Sequence, residues 1–138
     1  MNEKENMKNP ETNENAVPAM TPMETAEKVS NGVFSLAVPI MDGEQEYTEL
    51  KYDFNALTGW ELAKAIDSGT ERTSKTSGIT DTQALALFAA AAAKCTGGLD
   101  ATDIRNRLSA VDAIAAISVT SIFFRGSLLA GSLRITKK

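Results

Sequence analysis

The sequence predicts an α+β fold, in which an N-terminal β-hairpin packs on a small bundle of three to four helices. Two segments, residues 33–40 and 47–54, alternate apolar and polar side chains with the period of half-buried strands. Later segments, rich in alanine or aliphatic residues, begin with helix-capping side chains. The chain of 138 residues, with 43% hydrophobic content, suits one core.

Residues 1–31 differ in composition from the rest of the chain. This segment has no aromatic residue and carries three prolines in a polar background. Such a composition buries too little apolar surface to offset the entropy lost on ordering. We therefore predict a disordered polar tail over residues 1–31 and a single α+β domain over residues 32–138. The alternative within the tail is a turn or two of helix over residues 23–29, where Glu24, Ala26 and Lys28 are tolerable helix residues.

The predicted hairpin spans residues 33–54. Pro39 marks the first strand as an edge strand, because proline has no N–H to donate to a sheet. Each strand has one apolar side, which consists of Phe34, Leu36, Val38 and Ile40 in the first strand and Leu50, Tyr52 and Phe54 in the second.

The register of the hairpin follows from its parity. A two-residue loop of Asp42 and Gly43 would set the apolar side of one strand against the polar side of the other. A three-residue loop over residues 41–43 brings the apolar sides together. It pairs Ile40 with Glu44, Leu36 with Thr48, and Phe34 with Leu50.

The first predicted helix spans about residues 59–68. Thr58 and Glu61 have the spacing of a capping box, in which each side chain satisfies a backbone donor of the first turn. Leu57 and Leu62 occupy the positions of a hydrophobic staple. We expect this helix to cover the hairpin.

The second predicted helix spans residues 81–96. Thr80 and Gln83 form another potential capping box, and Gly97 follows the last turn. The alanine-rich sequence suits close packing in the core. Cys95, the single cysteine of the chain, is expected to be buried there.

Two further helices are predicted near the C-terminus. The third spans residues 103–108 and is capped by Thr102. The last spans residues 110–125 and is opened by Ser109 and Asp112.

Composition argues against several classes of function. The chain has no histidine and one cysteine, and no pair of carboxylates has the spacing of an acid and a base, so we expect no enzyme, cofactor or metal. The polar loop over residues 67–78 lacks a Walker pattern, because Ser74 precedes its lysine. A net charge of -4 without a basic stripe argues against nucleic acid.

The apolar segment over residues 113–133 invites a membrane interpretation. Arg125 interrupts it, and the uncharged part over residues 113–124 is shorter than the roughly 20 residues that span a bilayer. The N-terminus does not resemble a secretory signal peptide. We therefore expect no membrane partner and a cytoplasmic protein.

The last predicted helix carries apolar or small residues on nearly every face, more than the other elements could cover. This surplus predicts contacts with a partner protein or with a second copy. The alternative is that the same residues complete the core. The candidate contact residues are Ile114, Ile117, Phe123 and Phe124 in this helix, with Leu85 and Phe88 in the alanine-rich helix.

The order of these segments resembles the small tail assembly chaperones of tailed bacteriophages. The resemblance covers about residues 33–124 and rests on the F-x-x-LTG-x-x-L sequence from Phe54 to Leu62, followed by Gly-Gly-Leu, LDATDIRNRLSAVDA and SIFF. It implies a non-enzymatic protein of the bacterial host cytoplasm, whose partners are the tape measure protein and the tail tube protein. Alternatives are a structural minor tail or connector protein of the particle, and a small adaptor unrelated to phage.

Overall fold

The computed structural model describes residues 21–68 and 79–134, with side chains up to residue 131. The first 20 residues of the predicted tail, most of the polar loop and the last four residues lie outside these ranges. The elements in chain order are α1 (Pro22–Lys28), β1 (Asn31–Asp42), β2 (Gln45–Asp53), a short 3₁₀ turn (Phe54–Ala56), α2 (Gly59–Ser68), α3 (Asp81–Cys95), α4 (Ala101–Arg107) and α5 (Ala110–Arg134). The predicted α+β fold with its N-terminal hairpin is confirmed.

The hairpin has the predicted pairing at one end only. Phe34 lies opposite Leu50, as parity requires. At the turn, however, Asp42 pairs with Gln45 and Ile40 with Tyr47, so the predicted three-residue loop and its pairs Ile40 with Glu44 and Leu36 with Thr48 are wrong.

A bulge in β1 restores the parity that the short turn disturbs. The register shifts between Ser35 and Ile40, so that four residues of β1 stand against one residue of β2. Gly43 takes the left-handed conformation (φ 68°) that a two-residue turn requires. The Arg107 guanidinium donates to the Met41 carbonyl oxygen at 2.9 Å and holds this turn on α4.

The start of the described chain corrects the predicted boundary of the tail. Residues 22–28 form α1, and Ala26 and Ser30 are buried. Pro22 occupies the first helical turn, and the side chains and backbone N–H groups of Thr21 and Glu24 form a complete capping box. Residues 21–31 are therefore ordered, because short-range capping and packing against α5 replace the missing aromatic side chains.

Helix boundaries follow the caps closely. The capping boxes at Thr58 and Thr80 are both present, and α2 and α3 start where they predict. The cap of α4 is Asp100 rather than Thr102, so this helix starts earlier. The last helix continues through Arg125 to Arg134, because no proline or capping residue stops it at residue 125.

The core is centred on α3, which contacts β2, α2, α4 and α5. Phe88 is fully buried, with its ring 5.0 Å from that of Phe34 and 5.4 Å from that of Tyr52. Helix α2 packs on α3 and leaves Trp60 73% exposed, so it does not cover the hairpin as expected. Cys95 is exposed at the end of α3, which corrects its predicted burial.

An ion pair joins α2 to α3. Lys94 donates to both carboxylate oxygens of Glu61, at 2.6 and 2.7 Å. Two hydrogen bonds hold the pKa of Glu61 below its ordinary value; the one from Lys94 contributes most and the one from the Thr58 backbone N–H next. Because the pair is substantially exposed, it contributes little to stability.

Candidate protein-interaction surface

One side of α5, which we call the inner face, packs on the rest of the domain. It consists of Asp112, Ala116, Thr120 and Gly126, all of which are buried. The Thr120 hydroxyl donates to the Ala116 carbonyl oxygen at 2.8 Å, so its burial leaves no unsatisfied donor. Small side chains let α5 approach α3 and α1 closely.

Asp112 attaches the start of α5 to the bulge of β1. Its carboxylate accepts hydrogen bonds from the backbone N–H groups of Ala37 at 2.8 Å and Val38 at 3.1 Å. The Ser109 hydroxyl donates to the same carboxylate at 3.1 Å and accepts from the Asp112 N–H. The bulge, which lacks partners in β2, is thus satisfied by a side chain of the helix.

The electrostatics of this carboxylate follow from its contacts. Burial alone would raise the pKa of Asp112, but the hydrogen bonds from Ala37, Val38 and Ser109 outweigh burial and hold the pKa below its ordinary value. Asp112 is therefore ionised at neutral pH and has a structural task.

The opposite side of α5, which we call the outer face, is open to solvent and largely apolar. Its members recur at helical spacing of three and four residues along the same side. They are Val111, Ile114, Ser118, Arg125, Leu128 and Leu129, all exposed. From Val111 to Leu129 this face is about 27 Å long, at 1.5 Å per residue.

The aliphatic side chains of the outer face are unusually accessible. Val111 is 64% exposed and Ile114 69%, and Leu128 and Leu129 are each above 40%. Val111 and Ile114 form one apolar patch and Leu128 and Leu129 another, with Ser118 and Arg125 between them, and exposed apolar patches of this kind are typical of a surface that binds another molecule. The chemistry of the outer face favours apolar side chains, with Arg125 as its single charge.

The structure separates the six predicted contact residues. Ile114 lies on the outer face, and Ile117 and Phe124 are half-buried at its margin. Phe88 is fully buried in the core, so the prediction that it forms part of a binding surface is wrong, whereas Leu85 is half-buried against that core and its place in a binding surface remains a prediction.

Phe123 is also placed inward. Its ring stacks on that of Phe54, with centroids 4.4 Å apart. Phe54 is itself buried in the core, so Phe123 completes the packing beneath the 3₁₀ turn. The alternative interpretation, in which these phenylalanines complete the core, therefore holds for Phe123.

Sequence reasoning missed Val111, Leu128 and Leu129 as contact candidates. Their spacing with Ile114 can be read from the sequence, but small and aliphatic residues occur on both sides of the helix. Periodicity therefore does not indicate which side faces the domain and which faces solvent. The direction is set by the hydrogen bonds of Asp112 to the bulge of β1, which turn Val111 and Ile114 away from the domain and which no local sequence pattern indicates.

By length and composition, the stretch Ala110–Gly131 of α5 could cross a membrane, and only 17% of its apolar window is buried in the domain; a single helix of this kind is weak evidence of a membrane span. Because the helix continues through Arg125, this segment is longer than the uncharged stretch over residues 113–124. Its inner face is engaged by α3, α1 and β1.

One cleft, of about 350 Å³, lies between α1 and α5 and is lined by residues that include Met23, Glu27, Asn55 and Phe123. Within residues 21–68 and 79–134 no three His, Cys, Asp or Glu side chains are grouped as metal ligands would be.

Comparisons with protein-family models, with curated proteins and with solved structures find no match to this chain.

Proposed function

We propose that this protein is a tail assembly chaperone of a tailed bacteriophage, which binds the tape measure protein and assists assembly of the tail tube around it. It acts without catalysis, in the cytoplasm of the bacterial host. The observation that carries the proposal is the outer face of α5, which leaves large aliphatic side chains in water along about 27 Å.

The outer face suits a long apolar client. An extended strip can cover successive apolar turns of a helical partner, whose side chains at i, i+3, i+4 and i+7 form a matching stripe. The absence of charge over most of the strip permits contact with several segments of similar character, which is what coating a long protein requires. Arg125, the single charge of the strip, favours client segments with a polar or acidic side chain at that position.

The segment that carries the resemblance to this family is structurally central. Phe54 is buried and stacks on Phe123, while Thr58 and Glu61 close the capping box of α2. This segment therefore connects the hairpin to the inner face of α5. Its role would be to hold the outer face in place, with the client contacts made elsewhere.

Protein contact is favoured over a membrane for the outer face. To cross a bilayer, α5 would have to leave α3 and α1, lose the hydrogen bonds of Asp112 to β1 and carry Arg125 into hydrocarbon, at a cost of several kcal/mol. Flotation of the full chain with liposomes tests this alternative. The protein should remain in the dense fraction.

Co-expression with the tape measure protein of the same phage tests the proposed function. The tape measure protein should become soluble with this chain and aggregate without it. If its solubility does not change, the chaperone proposal is wrong. Mass spectrometry of purified particles then separates the two phage functions, because a chaperone leaves the finished tail, whereas a minor tail or connector protein stays in it.

A further inference from the structure

The two edges of the hairpin differ in how their backbone groups are satisfied. On β2, the Thr96 hydroxyl accepts from the Lys51 N–H at 2.9 Å and donates to the Lys51 carbonyl oxygen at 3.0 Å. On β1, Asp112 binds the N–H groups of Ala37 and Val38. Both edges are thus closed at these points.

The first half of β1 remains open. Lys51, which lies opposite Val33, directs its N–H and carbonyl group away from β1, whereas the Phe54 N–H donates towards β1, to the Ser30 carbonyl oxygen. These two contacts show which residue pairs of the hairpin exchange hydrogen bonds and which direct their backbone groups outward. By this alternation, Asn31, Val33 and Ser35 direct their backbone groups outward. Within the described ranges, no hydrogen bond reaches these outward N–H groups, and all three residues are exposed.

Proteins usually protect such an edge with charge or proline. The sequence from Asn31 to Val38 contains neither, and Pro39 comes only after the bulge. An edge strand of this kind can accept another strand by backbone hydrogen bonding.

We propose that this edge binds the same edge of a second copy, so that two hairpins form one four-stranded antiparallel sheet about a two-fold axis at Val33. The open stretch is complementary to itself. Val33 faces Val33 of the second copy, Asn31 faces Ser35, and Gly32 faces Phe34. The backbone exchange makes about six hydrogen bonds, two for each outward-facing pair.

Side chains support this pairing on both sides of the sheet. On the solvent side, Val33 is 56% exposed and meets an apolar equivalent. On the inner side, Gly32 has no side chain and leaves room beside the half-buried Phe34 ring of the other copy. The meeting strands carry no charge between Asn31 and Ser35, so the two-fold axis brings no like charges together.

The inference does not rest on the proposed function, since it uses the β1 edge and not the outer face of α5. It is tested on the full chain by sedimentation at increasing concentration, with hydrogen exchange on the same samples. The expected result is a monomer–dimer equilibrium. The Val33 and Ser35 amides become protected as the dimer forms.

Two substitutions probe the edge, and a third serves as a control. Val33→Pro removes an outward N–H that makes no hydrogen bond within the hairpin, and Val33→Lys places like charges at the axis; each should raise the dimer dissociation constant at least about tenfold. Val38→Lys changes an equally accessible valine beyond the open stretch and should leave it unchanged. A chain that stays monomeric, a dimer whose Val33 and Ser35 amides stay unprotected, or equal losses in all three variants would overturn the proposal.

Discussion

The inner face of α5 consists of small and polar residues with Phe123 as a large apolar contact beside them, whereas its outer face carries the exposed aliphatic ones. Ala116 and Thr120 are completely buried and Asp112 nearly so, while Val111 and Ile114 are more than 60% exposed. Close approach and directed hydrogen bonds hold the inner face on the domain. The outer face has the apolar surface that a core would use, with no part of the described chain covering it.

Because the two faces differ in this way, stability and partner binding depend on different sides of the same helix. Changes on the inner face should alter the free energy of unfolding, and changes on the outer face should alter affinity for a partner. The predictions below test that separation, from the largest expected effect on stability to the smallest.

Asp112→Ala should have the largest effect. It leaves the N–H groups of Ala37 and Val38 without their acceptor, and we expect a loss of about 2 to 4 kcal/mol in the free energy of unfolding. Urea denaturation measures this loss. Asp100→Ala is the matched control, because that carboxylate caps α4 through one backbone N–H and its loss should cost only about 1 kcal/mol. Equal losses for the two variants would show that the bulge does not depend on Asp112.

Acid should remove the same contribution. The pKa of Asp112 is lowered in the folded protein, so its stabilisation is complete above the unfolded value of about 3.9 and is lost as the pH falls through the folded value. The free energy of unfolding, measured from neutral pH down to about pH 3, should therefore fall more steeply for the natural protein than for Asp112→Asn. Glu61, whose pKa is also lowered, adds the same slope to both proteins. Parallel profiles would contradict this account.

Gly126→Ala should reverse the usual preference of a helix for alanine. A methyl group at Gly126 would lie 2.5 Å from the Pro22 carbonyl oxygen, so we expect α1 to be displaced and stability to fall by about 1 to 3 kcal/mol. Gly131→Ala, in the same helix, meets nothing within 4 Å and should gain up to about 1 kcal/mol. Thermal unfolding compares them. A gain at both positions would mean that α1 is not packed on α5.

The contrast between these faces also shows what the sequence could predict. Caps at Thr58, Thr80 and Ser109 predict where helices begin, because the signal lies within one turn. The α+β class follows from alternation in the two strands. Phe34 opposite Leu50 follows from parity, since the apolar sides must meet.

What the sequence could not predict depends on distant contacts. The bulge in β1 exists because Asp112, far along the chain, satisfies its N–H groups, and no local pattern in residues 36–39 indicates that partner. The orientation of α5 is similar, since aliphatic and small residues occupy every side of it. Helix α1 is a different case. The spacing of Thr21, Pro22 and Glu24 is a local helix-start signal, but the polar composition of residues 1–31 predicts disorder, and the structure follows the local signal.

The outer face is the central claim, and substitution on that face tests it most directly. Val111→Ser combined with Ile114→Ser should change stability by no more than about 0.5 kcal/mol, because both side chains are more than 60% exposed. Affinity for the tape measure protein, measured by titration of the purified full chain, should fall at least about tenfold. Trp60→Ser, at an exposed apolar position on α2, is the control and should retain full affinity. A folded double variant that binds the tape measure protein as tightly as the natural chain would contradict the account.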